Sequence, residues 1–224
     1  MMNEQSFIIM EPGAMPKIST EREEATRQSI LRAARDTFVA KGFHDATTHD
    51  VARAAGLSVG SIYRYFASKD ALIRECVLVA NKAETDAVLH DIRSDGSARI
   101  RIGRAIAGWY RYTVEAPGVP AFLAEAWAAA TRKPLIRDMV AQRRERIATV
   151  ATVILQEGVA AGEFSADLDV VTTARALGAL LDGVVLECIS SGVPPTRADV
   201  ERRALLLIGP SIEQRPRPDR SDPP

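Results

Sequence analysis

Apolar residues recur three and four apart along most of the chain, and this spacing limits the possible fold more than any other feature. Ile30, Ala34, Phe38 and Val39 form one stripe, and Leu72, Cys76, Val79 and Ala83 a second. Ile136, Met139, Val140, Ile147, Val150 and Ile154 form a third, and Leu177, Leu181, Val184 and Cys188 a fourth. Side chains at these spacings share one face of a helix, so each stripe predicts an amphipathic helix that buries one side. No sustained alternating segment reads as a strand, and no internal repeat is visible. The expected fold class is all-α, about nine helices, with three short ones within 22–66 and longer ones across 69–213.

Turn residues divide the pattern. Lys41–Gly42 is expected to end the first helix, with Gly42 as a left-handed cap. Asp95-Gly96-Ser97, Pro117-Gly118, the stretch from Gly162 to Asp169, and Gly192-Val193-Pro194-Pro195 are expected loops. Pro134 fits a first helical turn, and Thr196 fits an N-cap. The proline-rich tail 214–224 and residues 1–20 are expected to be disordered.

Composition matters chiefly for what it excludes. Hydrophobic residues are 46% of the chain, enough for a substantial core. No run approaches the roughly 18 apolar residues that a membrane span needs. The opening residues lack the basic head and apolar stretch of a secretory leader, so the expected location is cytoplasmic. Cys76 and Cys188 lie far apart in helical patterns and fit neither a disulfide framework nor a zinc spacing. No metal or cofactor is expected.

Residues 43–72 are the informative segment. Thr47 can N-cap a short helix, Thr48–Ala55, with Asp50 in its first turn. Gly56 falls where a left-handed residue ends a helix, and Leu57 reads as a buried plug. Ser58 can cap a second helix, Val59–Phe66. Two short helices joined by a tight glycine turn make a helix-turn-helix, whose second helix presents its N-terminal part to base edges in a major groove. Ile62 and Phe66 are expected to face inward. Val59, Gly60, Ser61, Arg64 and Tyr65 occupy positions that can face outward. Gly60 and Ser61 are small enough to let the helix sit deep, and Arg64 can read guanine or hold a phosphate. Tyr63 and Tyr65 can donate to phosphates, and Lys69 can add a phosphate contact as charge and as backbone N–H.

The same residues resemble a known signature. Thr47, Thr48, Val51, Ala52, Ala55, Gly56, Leu57, Ser58, Gly60, Ser61, Ile62, Tyr63, Tyr65, Phe66, Ser68, Lys69 and Leu72 are similar to the DNA-binding pattern of the TetR family of bacterial regulators. Upstream, Ile30-Leu31, Ala33-Ala34, Phe38 and Gly42-Phe43 resemble that family's first helix. Val59 stands where lysine is frequent in the family, and His49 is a second departure. Both positions are expected to face DNA, so base preference does not carry over. The resemblance implies a helix-turn-helix domain over 21–68 and a larger helical ligand-binding and dimerisation domain over 69–213. It implies a homodimer through 167–191 and 196–213 on a palindromic double-stranded operator, and a small-molecule effector. In that reading the protein is most often a repressor; an activator or an effector-independent regulator is the alternative. The phrases Gly162-Glu163-Phe164 and Leu180-Leu181-Asp182-Gly183 are common in the family's larger domain. The stretch from Glu125 to Pro134 resembles the subgroup containing betaine-synthesis repressors, from which no ligand is carried over.

Candidate effector-binding residues come from breaks in the stripes and from clustered aromatics. Arg143 lies four residues from both Met139 and Ile147, on the apolar face, where it needs a protein carboxylate or an acidic ligand, or else carries its head to water. Asp86 and His90 extend the Leu72–Ala83 stripe. Trp109, Tyr112, Phe122 and Trp127 crowd the middle helices. A rival reading takes His44-Asp45 and His49-Asp50 as a metal-dependent hydrolase. Residues five apart do not share a helix face, however, and no phosphate-cradling glycine loop or nucleophile elbow accompanies them.

Charge sharpens the DNA reading. Twenty-nine basic residues balance 29 acidic ones, a net charge of zero. Residues 47–69 nevertheless carry Arg53, Arg64 and Lys69 against Asp50 alone. A narrow basic footprint predicts weak non-specific binding and a shallow salt dependence.

Overall fold

The computed structural model describes residues 17–92 and 96–209, and among these it contains nine helices and no strand. They are α1 (Lys17–Asp45), α2 (Thr48–Ala55), α3 (Val59–Tyr65), α4 (Lys69–Ile92), α5 (Ala98–Thr113), α6 (Val119–Ala130), α7 (Pro134–Ala160), α8 (Val170–Ser191) and α9 (Arg197–Ile208). The disorder expected over 1–16 and 214–224 lies outside the described residues, whereas residues 17–20 already belong to α1.

Local signals set most boundaries. Thr196 accepts from Asp199 N–H at 3.2 Å, Ser97 from Ile100 N–H at 3.3 Å, and Asp169 from Thr172 N–H at 3.0 Å; each satisfies one of the N-terminal donors a helix leaves open. Pro134 opens α7. The expected break at Gly42 is present, but in different geometry: φ 76 and ψ 163, an extended mirror-image conformation in place of the left-handed helical one. Phe66 is an extended cap, leaving α3 one residue shorter than expected.

Two apolar clusters hold the helices together. The first joins α1–α3 to the opening turns of α4 through Leu72, Ile73, Cys76 and Val77. It also takes Phe122, Ala126 and Ala129 from α6, and Ile136 and Met139 from α7. Phe43 meets Phe38 and Phe122 edge-on, with ring centroids 5.2 and 5.5 Å apart. The second cluster is built by α5, α7, α8 and α9 with Val119 and Leu123 of α6. Packing is therefore continuous across the loop at 66–68.

The turn after α7 explains the phrase Gly162-Glu163-Phe164. Gly162, at φ 74, reverses the chain. Phe164 then folds back onto Gly158, where any Cβ would lie 2.3 Å from the Phe164 ring. Glu163 turns to the start of α5 and accepts from the N–H groups of Ala98 and Arg99 at 3.0 and 3.3 Å. A carboxylate there satisfies open donors and favours the positive end of the helix dipole.

Candidate nucleic-acid interface and internal cavity

The two short helices are fastened residue by residue. Thr47 Oγ1 accepts from Asp50 N–H at 3.1 Å, and Asp50 Oδ2 accepts from Thr47 N–H at 3.0 Å, a reciprocal capping box. Lys41 donates to Asp50 at 2.7 Å. This bond, with those from Thr47, holds the Asp50 carboxyl far below the usual carboxylate range. Gly56 ends α2 at φ 67, ψ 31, a left-handed conformation in which glycine carries no Cβ penalty. Ser58 Oγ then accepts from Ser61 N–H at 3.1 Å to start α3.

Burial sorts the candidate DNA-reading residues into three kinds. Thr47, His49, Ser58, Gly60, Tyr63 and Arg64 are exposed. Thr48, Ser61 and Lys69 are half-buried. Val59 and Tyr65, expected to face outward, are half-buried and pack against the first cluster. A seven-residue helix can hold its place only by burying a side, and Val59, Ile62, Tyr65 and Phe66 supply that side. The frequent-lysine position thus contributes packing here. Leu57 likewise is only partly buried.

Intramolecular bonds orient the exposed groups. The Arg64 guanidinium lies 5.0 Å from the centre of the Tyr65 ring and donates to its hydroxyl at 3.2 Å. Tyr63 and Thr48 share a hydroxyl contact of 3.3 Å across the two helices. Lys69 Nζ donates to the carbonyl of His44 at 2.8 Å, which pins the start of α4 to the end of α1. The His44-Asp45 and His49-Asp50 pairs build no common site. Both histidines are exposed, and Asp50 is engaged by Lys41 and Thr47. Among the described residues no three metal-ligating side chains converge.

A second feature lies deeper. A cavity of about 80 Å³ sits among α4, α5, α7 and α8, lined chiefly by apolar side chains, with Trp109, Glu84, Arg143 and Arg146 on its wall. Arg143 is 2% exposed. Its Nε and Nη2 donate to Glu84 at 2.7 and 2.6 Å, and its Nη1 donates to Asp182 at 2.8 Å. Arg144 donates to the same Asp182 at 2.8 Å from the exposed side. Burial opposes the guanidinium's charge, but Glu84 and then Asp182 outweigh it and keep Arg143 protonated. The alternatives open for Arg143 thus resolve as an ion pair with protein carboxylates.

Among the remaining effector candidates, Trp109 lines the cavity and is 1% exposed, and its Nε1 has no hydrogen-bond partner among the described residues. Tyr112 stands beside the cavity and donates to the Ala80 carbonyl at 3.1 Å; burial, then the nearby Glu84 charge, pushes its hydroxyl up to about 12. Phe122 belongs to the first cluster, next to Phe43. Trp127 packs in the second cluster without lining the cavity. Asp86 and His90 are exposed, with Asp86 paired to Lys82 at 2.5 Å. The stripe through Leu72 and Cys76 was the wrong guide to the inner face. The opening turns of α4 are buried on two sides, since both Leu72 and Ile73 are inaccessible, and Val79 is already 41% exposed. The face that stays inward runs through Ile73, Val77, Ala80, Glu84 and Val88. On that face Glu84 was the overlooked signal: one carboxylate at a core position, matched by one arginine at another.

The comparisons with known proteins agree with this geometry. Residues 30–76 match the family model for bacterial regulatory proteins of the TetR family, and residues 99–207 match that for the C-terminal part of BetI-type transcriptional repressors. The HTH-type transcriptional regulator BetI of Escherichia coli (strain K12) is 30% identical over 193 residues, which cover 83% of this chain and 93% of that protein. UidR, an HTH-type transcriptional regulator of the same strain, is 28% identical over 173 residues, covering 77% and 86%. A transcriptional regulator of Saccharomonospora viridis, solved in complex with choline, shares the fold with a TM-score of 0.70 at 23% identity, covering 81% of this chain and 94% of that one. Capped reading helices, an all-helical second half with an internal cavity, and sequence likeness over most of both chains lead to one assignment: the chain belongs to the TetR family of bacterial regulatory proteins and is a DNA-binding transcriptional regulator.

Proposed function

We propose that the protein is a repressor that holds a near-palindromic operator as a homodimer in the cytoplasm and leaves it when a small molecule enters the cavity. The observation that carries this reading is the chain Glu84–Arg143–Asp182. It ties α4, whose first residue is bonded to the reading domain, to α7 and α8 alongside the cavity. A ligand that binds better to a changed spacing of these helices shifts the population toward it, and only that difference in affinity matters. In this reading Thr47, Thr48, His49, Ser58, Gly60, Ser61, Tyr63, Arg64 and Lys69 meet DNA. Val59 and Tyr65 act mainly by holding α3 in place.

Dimerisation is supported by an apolar band on α8 and α9. Leu186, Ile189 and Leu207 are exposed, as are Val193 at 72% and Leu206 at 71%. Such a band favours burial against a partner, and a second copy offers the same band by two-fold symmetry. Two copies also set two reading helices one or more DNA turns apart. Choline is not carried over from the Saccharomonospora viridis regulator, because among the described residues Trp109 is the one aromatic group on this cavity wall and Glu84 is already engaged by Arg143.

The test begins with duplex selected from a random library by the full-length protein. The expected result is a near-palindrome bound by two copies, with reporter expression rising when the gene is deleted. Selection of an asymmetric site by a single copy, or reporter expression that falls on deletion, overturns the reading.

A further inference from the structure

The chemistry of the cavity narrows what can fill it. Its wall on α7 runs from Arg143 to Ile154, about 16 Å along the helix at 1.5 Å per residue. Between those ends lie Ile147, Val150 and Ala151, faced by Ile102, Ile106 and Leu177 from α5 and α8. The space is long, apolar and narrow, so it suits a slender hydrocarbon body. At about 80 Å³ it falls below the roughly 300–1,000 Å³ of most ligand sites. An occupant must therefore part the helices that enclose it.

The polar groups divide into two sets. Arg143 is committed, because two carboxylates share its guanidinium. A second anion beside Glu84 and Asp182 would meet like charge in a dry site, so Arg143 offers an acidic ligand no anchor. Arg146, one turn further along α7, is different. It is half-buried, has no hydrogen-bond or ion-pair partner among the described residues, and lines both the cavity and an adjoining open groove. Thr85 and Val150 are shared by the same two spaces, and Gln142, Glu145 and Thr149 complete the groove. Arg146 thus stands where an apolar interior meets water. Its planar fork of donors matches a carboxylate.

Resting on the reading of this cavity as the effector site, we propose that the effector is a slender amphiphile with a carboxylate head. Its hydrocarbon tail lies along α7 toward Ile154, and its carboxylate accepts from Arg146 at the mouth between α4 and α7. Seating the tail pushes α4 from α7 and loads the Glu84–Arg143 bond, which connects the occupied cavity to the reading domain.

The chain has two tryptophans, so Trp127→Phe leaves Trp109 as a reporter on the cavity wall. The full-length variant is titrated with decanoate, decan-1-ol and decyltrimethylammonium, following Trp109 emission and, separately, occupancy of the selected operator. Calorimetry on the unaltered protein gives the same ranking should Trp127→Phe fold poorly. Decanoate is expected to bind about tenfold more tightly than decan-1-ol, the scale of one partly exposed charged hydrogen bond. Arg146→Gln is expected to erase that preference and leave decan-1-ol binding unchanged. Equal or tighter binding of decan-1-ol or decyltrimethylammonium, no binding of decanoate, or a preference that survives Arg146→Gln each overturns the ligand class. Operator release by decan-1-ol or the cation in preference to decanoate overturns the class and leaves ligand-driven release standing. Decanoate binding with the expected pattern but no change in operator occupancy supports the class and overturns release.

Discussion

The reading domain and the cavity half are stabilised by interactions of opposite range. In α2 and α3 the decisive bonds join residues three apart: Thr47 with Asp50, and Ser58 with Ser61. Around the cavity the decisive bonds join Arg143 to residues 59 and 39 positions away. Short helices gain little from propagation, so they depend on their N-caps and, at the end of α2, on the left-handed Gly56. Longer helices carry caps as well, but they gain more from propagation, and what they must specify is their neighbours. The contrast teaches that a cap secures an element, whereas a buried ion pair secures an arrangement. Arrangement is what a ligand-driven switch has to change.

The largest effect should come from attacking the long-range side. Arg143→Met leaves the buried Glu84 without its cation and Asp182 with Arg144 alone. A buried charge stripped of its partner costs about 3–5 kcal/mol, and urea unfolding of the full chain should show a loss of that order. A change below about 1 kcal/mol would mean that the network is not dry, and the contrast would lose its basis. Arg143→Met combined with Glu84→Gln and Asp182→Asn should recover much of the loss, because the pair's burden is then removed from both sides.

A middle-sized effect tests the cavity half through packing alone. Gly158→Ala places a methyl group 2.3 Å from the Phe164 ring and 2.7 Å from Ala98 Cβ. In an open helix this change stabilises by roughly 0.5–1 kcal/mol. Here overpacking, about 1–3 kcal/mol, should win. A rise in melting temperature would show that the turn at 162–164 yields freely.

The smallest effect belongs to the local side. Thr47→Ala removes one capping acceptor and should cost about 1 kcal/mol. Amide exchange should quicken in α2 while the amides around Arg143 keep their protection. Operator affinity should fall with it, since α2 is the platform for α3. If exchange quickens equally in both halves, the two are one cooperative unit and the comparison fails.

Much of the reading domain was legible in the sequence. Thr47, Gly56 and Ser58 declare their roles by residue type and position, since a cap works over three residues. The inward packing of Val59 and Tyr65 was not legible. Periodicity gives the relative angle of side chains, not which face a short helix turns to its neighbours. In the cavity half, the placement of Arg143 on the apolar face was readable from Met139 and Ile147, but not whether its head stays inside. Its partners were not, because pairing 84 with 143 and 182 requires knowing how α4, α7 and α8 lie against one another. Phe122 shows the same limit: its side of α6 was apolar in sequence, but which of two clusters received it depended on Phe43, 79 residues earlier. Asp86 and His90 failed because the opening of α4 is buried on two sides, so two stripes compete and the sequence ranks them equally.

By itself the sequence determined the helical class, most helix ends, the helix-turn-helix and the family. These are set by interactions within about one turn, or by residues whose identity alone restricts the backbone. Tertiary structure alone decided which carboxylates hold Arg143, which aromatic reaches the cavity, and which arginine stands at its mouth with no partner among the described residues. Each depends on how helices distant in sequence meet, and burial there makes the outcome a contest between desolvation and pairing that no local pattern encodes.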